Sequence, residues 1–232
     1  MLDSVLVPQA REKPMAGPHL FYIADPMCSW CWGFSPVIRA IRQRYAGTLP
    51  IRLMMGGLRP QTTKSMDEAA KQKTRSHWEH VQAASGQPFD FAFFEREDFV
   101  YDTDPAARAV VMVRRSGMER ALDYLALTQA AFYADGRDVT DEAVLADLAV
   151  QVGLDRGGFI EAFRSEDAKQ ETWRDYGISQ QAGITGFPTL IAGDGKSNQY
   201  VAVSQGYQPA DRVLPLIGMW LSKMIGSDEA AG

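Results

Sequence analysis

Cysteine is scarce in this chain: two in 232 residues, Cys28 and Cys31. That excludes a small scaffold stapled by several disulfides. Histidine is scarce too, with His19, His77 and His80 the full set. Positive charge is not in excess, since the net charge is -5 and the pI near 5.3. Such a balance argues against a nucleic-acid surface. The nearest basic cluster, Arg39, Arg42 and Arg44, reads as one solvated helix face. Long hydrophobic runs are missing, and no stretch approaches the roughly 18 apolar residues of a membrane helix. The opening "MLDSVLVPQAREKPMAGPHL" has no basic start followed by an apolar run, the mark of a secretory signal. The expectation is a soluble, cytoplasmic protein whose thiols are kept reduced. Residues 1–17 read as a flexible arm. No internal repeat or low-complexity tract is present.

What is there is ordinary for a globular protein: 46% hydrophobic and 23% charged residues, enough chain for one large domain or a core with an insertion. "HLFYIA" (19–24) is a short apolar run before Asp25-Pro26 and reads as a buried strand. Val37, Ile38, Ile41 and Tyr45 then recur at helical spacing. "PIRLMMGG" (50–57) reads as a second strand. Strand, helix, strand is a βαβ unit, with parallel strands and a right-handed crossover. From Pro60 to about Gln181 the pattern is helical. Ser65 with Glu68 and Ser116 with Glu119 fit capping boxes, Asp104-Pro105 fits a helix start, and Thr140 opens a further helix. The acidic stretch 95–104 reads as loop. "FPTLIAG" (187–193) and "QYVAVSQG" (199–206) form a hairpin around "DGKSN". A last amphipathic helix covers about 210–225, with Pro215 a kink or its first turn. The fold class is therefore α/β, in the order βαβ…ββα of a thioredoxin-like fold. Its core (18–60 plus 182–228) is interrupted by a large all-helical insertion (61–181).

Both thiols fall inside "DPMCSWCWGF" (25–34). Three jobs compete for them. A structural zinc wants four ligands; the histidines available lie in another block, and His77 and His80 read as surface helix residues. A stabilising cross-link over so short a loop is worth only about 2 kcal/mol, and a reducing compartment would not preserve it. Electron exchange fits each local feature. Residues three apart on a helix have β-carbons about 5–6 Å apart, and a disulfide needs about 3.5–4.5 Å, so a small adjustment in the first turn closes the bond. A strand handing over to a helix presents free N–H groups and a positive dipole end, which favour an anion. The thiolate is the form that attacks a disulfide. Cys28, nearer the helix end, is the expected attacking residue, and Cys31, one turn in, the resolving one. No metal and no resident cofactor are expected; glutathione is left open as a reductant. Pro36, eight residues after Cys28, suits a helix that starts at the cysteines and bends there.

Asp25 is read as a cap for the turn or a proton relay to Cys31. Trp30, between the cysteines, and Trp32 and Phe187 are candidate substrate-binding aromatics, with Trp32 also a candidate for the core. The partners this chemistry implies are disulfide- or thiol-containing proteins or small molecules, with neither nucleic acid nor membrane.

"YIADPMCSWCWGFSP" (22–36) and "GITGFPTLIA" (183–192), with a helical insertion between thioredoxin halves, resemble the DsbA family of thiol–disulfide oxidoreductases, specifically its FrnE-like branch. The resemblance spans roughly residues 18–226. It implies a cis Phe187–Pro188 bond facing the cysteines, with Pro188 keeping a competing N–H and metals away from them. The Phe187 backbone would pair with bound peptide in strand fashion. Secreted members carry a histidine between the cysteines; here the pair is Ser29-Trp30. Kappa-class glutathione transferases and 2-hydroxychromene-2-carboxylate isomerases resemble the same architecture but typically carry serine where this chain has Cys28. A non-catalytic peptide-binding or chaperone module using the aromatic cleft is the other alternative.

Overall fold

The computed structural model describes residues 4–6, 17–196 and 199–229. Its centre is a five-stranded mixed sheet in the order β1-β5-β4-β2-β3. The strands are β1 (Ser4–Leu6), β2 (His19–Ala24), β3 (Ile51–Met55), β4 (Thr189–Gly193) and β5 (Gln199–Gln205). β2 and β3 run parallel, joined by helix α1 (Ser29–Arg44); every other neighbouring pair is antiparallel. β4 and β5 form the expected hairpin, with a register shift at Leu190/Ile191. The chain thus has the mixed α/β thioredoxin fold its element order implied.

β2 shows why the sequence folds this way. Leu20, Tyr22 and Ala24 enter the main core, while Ile23 joins Met54 and Ile191 in a second cluster on the opposite side. A strand covered on both faces needs an unbroken apolar run rather than strict alternation, and 19–24 supplies one. α1 lays Phe34, Val37, Ile38 and Ile41 into the main core.

Between β3 and β4 come α2 (Glu68–Ser85), a 3₁₀ turn (Phe91–Glu95), α3 (Asp104–Arg114), α4 (Met118–Tyr133), α5 (Glu142–Gln151), α6 (Arg156–Arg164) and α7 (Glu166–Gln181). Trp78 of α2, 1% exposed, is the hub of this block. Its ring lies 4.8 Å from those of Phe93 and Phe94 and 5.0 Å from Tyr133. α8 (Ala210–Glu229) closes the fold. Among the described residues no helix is long and apolar enough to cross a membrane.

Several expectations need correction. Ser4–Leu6 is not a free arm; it pairs with Gln199–Val201 as the edge strand β1, because β5 would otherwise leave its outer backbone groups unpaired. The rest of 1–16 lies outside the described residues. Asp67, not Ser65, caps α2 by accepting from Ala70 N, since it sits directly before the first helical residue. α4 starts after Gly117 with no side-chain cap, and Asp141, not Thr140, caps α5. Arg42 is no merely solvated charge: it binds Glu119 and Asp123 of α4, 2.7 Å from each. Pro215 lies within α8, not at its first turn. α1 starts at the cysteines as expected, with Pro36 inside it.

Candidate active site

The site begins where β2 ends. Asp25, wholly buried, takes Met27 N on Oδ1 at 2.9 Å and Leu58 N on Oδ2 at 2.8 Å. One carboxylate thereby shapes the turn and ties it to the loop after β3. Cys28 N donates to Asp25 O at 3.1 Å, and Cys28 is the N-cap of α1, with extended φ and ψ of -95° and 114°. A usual N-cap side chain would bond an early helix N–H; cysteine makes no such bond, and the first turn of α1 holds no acidic residue. Orphan N–H groups and the positive end of the helix dipole are therefore left to act on the sulfur.

Both cysteines are free thiols. Cys28 is 6% exposed and Cys31 not at all. The expected order of access holds, but Cys28 is more covered than a helix end implies, because the 183–189 loop closes over it. Its Sγ donates to Phe187 O at 3.6 Å. Burial pushes the Cys31 thiol well up, and the neighbouring Cys28 adds to that by bond and charge. Burial also raises the Asp25 carboxyl to about 6, against the lowering pull of the Leu58 and Met27 amides and the Thr103 hydroxyl.

The Phe187–Pro188 peptide bond is cis, and Pro188 is buried. The half-buried Phe187 ring lies so close over Gly56 that a β-carbon there would collide with it. Trp30 is half-buried, its ring 5.6 Å from that of Tyr207. Of the two roles expected of Trp32, substrate contact and core, the structure gives it the core. It is 6% exposed, stacks on Tyr133, and donates from Nε1 to Pro88 O at 3.0 Å. An indole N–H satisfied inside the protein belongs to the core. His77 and His80 stand exposed on α2, and His19 is buried with Nδ1 2.9 Å from Gly17 O.

Three tyrosine hydroxyls near the sulfurs went unread in the sequence. Tyr101 donates to Met27 O at 2.8 Å and lies 3.4 Å from the Tyr133 hydroxyl. Among the described residues the buried Tyr22 hydroxyl has no partner at full hydrogen-bond geometry, and the Cys31 thiol is the hydrogen-bonding group that bears on it. Burial holds the tyrosine proton on, and the Cys31 and Cys28 charges reinforce this. Tyr22 could have been found, because it shares a strand face with Leu20 and Ala24. Tyr101 lies in the acidic stretch read as loop, where no local pattern marks it.

Residues 21–214 match the family model of the DSBA-like thioredoxin domain. The chain belongs to this family. A candidate protein disulfide isomerase from Nitrosomonas europaea superposes with a TM-score of 0.82 at 40% identity, over 89% of this chain and 98% of that one. The cytosolic disulfide reductase DsbM from Pseudomonas aeruginosa gives 0.70 at 27%, over 87% and 98%; it also has a structure with GSH. The ClpXP adapter protein SpxH of Bacillus subtilis is 24% identical over 180 residues, 77% of this chain. The chain spans 58% of that relative's length.

Proposed function

We propose that this is a cytosolic dithiol–disulfide reductase and isomerase of the FrnE-like branch, with Cys28 attacking and Cys31 resolving. One observation carries the reading: the N-cap sulfur of α1 lies 3.6 Å from the carbonyl that precedes the cis proline. The Cys28 thiolate attacks one sulfur of a substrate disulfide, and the other sulfur leaves as a thiolate. Cys31 then loses its proton and attacks Cys28, releasing the second sulfur. The protein gives two electrons and ends as a disulfide. Stopping at the mixed disulfide and returning the bond to another substrate sulfur is isomerisation, with no net electron flow. Asp25, with its carboxyl near 6, is ionised at neutral pH and serves as acceptor for the Cys31 proton. An extended substrate would pair with the backbone of Phe187, whose N–H has no partner among the described residues. Trp30 and the Phe187 ring would flank it.

The similarity to a cytosolic disulfide reductase supports both the compartment and the reducing direction. The test is insulin reduction and refolding of a scrambled disulfide protein. Cys28→Ser should abolish both, while Cys31→Ser should accumulate mixed disulfides. Full activity of Cys28→Ser would overturn the proposal.

The similarity to SpxH supports a second reading, a module that binds a protein partner without exchanging thiols. That reading predicts undiminished partner capture by Cys28→Ser together with no insulin reduction by the wild type.

A further inference from the structure

The loop after β3 carries a cation to the edge of the sulfur site. Its backbone is pinned on both sides. Leu58 N is held by Asp25 Oδ2, Arg59 N donates to Thr103 Oγ1 at 3.1 Å, and Thr103 N donates to Arg59 O at 3.3 Å. The exposed Arg59 guanidinium rests 4.9 Å above the centre of the Tyr101 ring. The hydroxyl of that ring donates to Met27 O, the carbonyl immediately before Cys28. A single rigid aromatic ring therefore separates the guanidinium from the attacking residue. The Arg59 and Cys28 charges both act on that Tyr101 hydroxyl.

Seven other arginines, among them Arg42, Arg114 and Arg164, have a carboxylate within 4 Å. Arg59 has none among the described residues. Its nearest acidic neighbours in the loop network are committed elsewhere. Asp25 accepts two backbone N–H groups, and Asp102 Oδ1 accepts those of Gln61 and Asp104. Other arginines also lack a carboxylate; Arg59 differs in lying across the Tyr101 ring from the carbonyl that precedes Cys28. Leu58, 39% exposed, lies next to it and offers an apolar contact. An aromatic face orients a guanidinium without neutralising it, which leaves its planar N–H fork free for a carboxylate.

We propose that Arg59 anchors a carboxylate of the disulfide substrate, so that the site prefers small acidic disulfides of the glutathione type to neutral ones. The proposal rests on the thiol–disulfide exchange reading and adds the substrate class. Glutathione carries a carboxylate at each end of a short peptide with the sulfur between them, so a carboxylate on Arg59 leaves sulfur free to reach Cys28. The reaction balances with the residues described. Cys28 thiolate attacks one sulfur of glutathione disulfide and one glutathione thiolate leaves. Cys31 attacks Cys28 and the second leaves. The protein dithiol is oxidised by two electrons, and two protons end on two glutathione thiols. An external thiol reductant, such as dithiothreitol, regenerates the dithiol between turnovers.

The test is the rate at which pre-reduced protein is oxidised by glutathione disulfide and, separately, by neutral hydroxyethyl disulfide. Arg59→Gln should lower the ratio of the two second-order rate constants about fivefold, the scale of one exposed charge contact. Arg59→Lys should keep about half of the preference on a logarithmic scale. The wild type supplies a check free of any folding defect. A chain of net charge -5 repels a dianion, so added salt should speed the reaction if no local cation intervenes. Arg59 contact predicts the opposite sign, a rate with glutathione disulfide that falls as salt rises. A ratio unchanged within twofold in Arg59→Gln, or a salt effect of the repulsive sign, overturns the proposal. No oxidation of wild type by either disulfide overturns the exchange reading itself.

Discussion

The Cys28 sulfur meets the carbonyl oxygen of Phe187 at 3.6 Å, although 159 residues separate them in the chain. The first residue belongs to the βαβ half and the second to the ββα half, so the site exists only when β2 and β4 have paired. The Phe187 ring completes the link by lying over Gly56, in the loop after β3. Three chain segments thus converge on one sulfur.

Gly56→Ala tests that convergence. The added methyl would overlap the outer atoms of the Phe187 ring, and a half-buried ring can swing away more cheaply than a backbone can move. The expected loss of stability is modest, about 1 kcal/mol, at the low end for overpacking. The loss of insulin reduction should be larger, about tenfold, because the ring leaves the cleft. Chemical denaturation beside turnover measures both. A large stability loss with normal activity would contradict the placement.

Asp25 gives a prediction with a defined pH window. Its folded-state value, about 6, stands above the ordinary 3.8, chiefly because burial disfavours the charge. The fold thus prefers the protonated acid. That contribution is fully present below about pH 4 and is lost as pH rises through 6. It amounts to about 3 kcal/mol at 1.36 kcal/mol per unit. Asp25→Asn keeps only one of the two amide contacts and should be less stable than wild type at pH 4. The gap should then shrink by about 2 kcal/mol between pH 4 and pH 7, since the variant carries no ionisation cost. Urea unfolding at both pH values reads it, and a constant gap would refute the raised value. On the proposed mechanism, collapse of the mixed disulfide should lose rate below about pH 6 in wild type but not in the variant.

These two residues also show how far the sequence could be read. Asp25 was legible because an Asp-Pro pair between an apolar strand and a C-x-x-C has few local roles. Cys28, Cys31 and the order of strands around them follow from short-range periodicity. The position of Trp32 was less legible: its partners Tyr133 and Pro88 lie in other elements, and no window around 32 contains them. The same limit hid β1, whose partner strand begins almost two hundred residues later. It hid Tyr101, whose contact with Met27 crosses 74 residues. Patterns of period 2 and 3.6 show which face of an element is apolar, not what will cover it.

Tyr22 sets stability against reactivity. Among the described residues its buried hydroxyl has no partner at full hydrogen-bond geometry, a state that costs about 1–3 kcal/mol. Tyr22→Phe should therefore be about 1 kcal/mol more stable than wild type. Yet among neighbouring charges Cys31 acts most strongly on that hydroxyl, and a thiolate formed there would be the natural acceptor for its proton. Removing the donor should slow resolution of the mixed disulfide severalfold. Quenched-flow trapping of the intermediate, paired with thermal unfolding, checks both signs. A destabilised variant with unchanged resolution would show that the hydroxyl serves packing alone.

Asp175 of α7 governs the outer edge of the sheet. β3 is an edge strand, with backbone groups facing away from β2. Asp175 Oδ2 accepts Met55 N at 3.0 Å, and Arg114 Nη1 donates to Leu53 O at 2.9 Å and to the same carboxylate oxygen at 2.6 Å. A helix-borne ion pair therefore stands in for a sixth strand. Asp175→Ala would orphan the Met55 N–H and leave Arg114, only 11% exposed, with Glu171 at 3.4 Å as its remaining carboxylate. Stranding one member of a buried pair costs about 3–5 kcal/mol, and the loss should fall in that range. Replacing both charges, Arg114→Met with Asp175→Leu, removes the stranded cation and should recover part of it. Recovery should stop short of wild type by about 1–3 kcal/mol, because Met55 N–H and Leu53 O remain without partners. Complete recovery in the double variant would mean that the pair contributes charge balance but no edge closure.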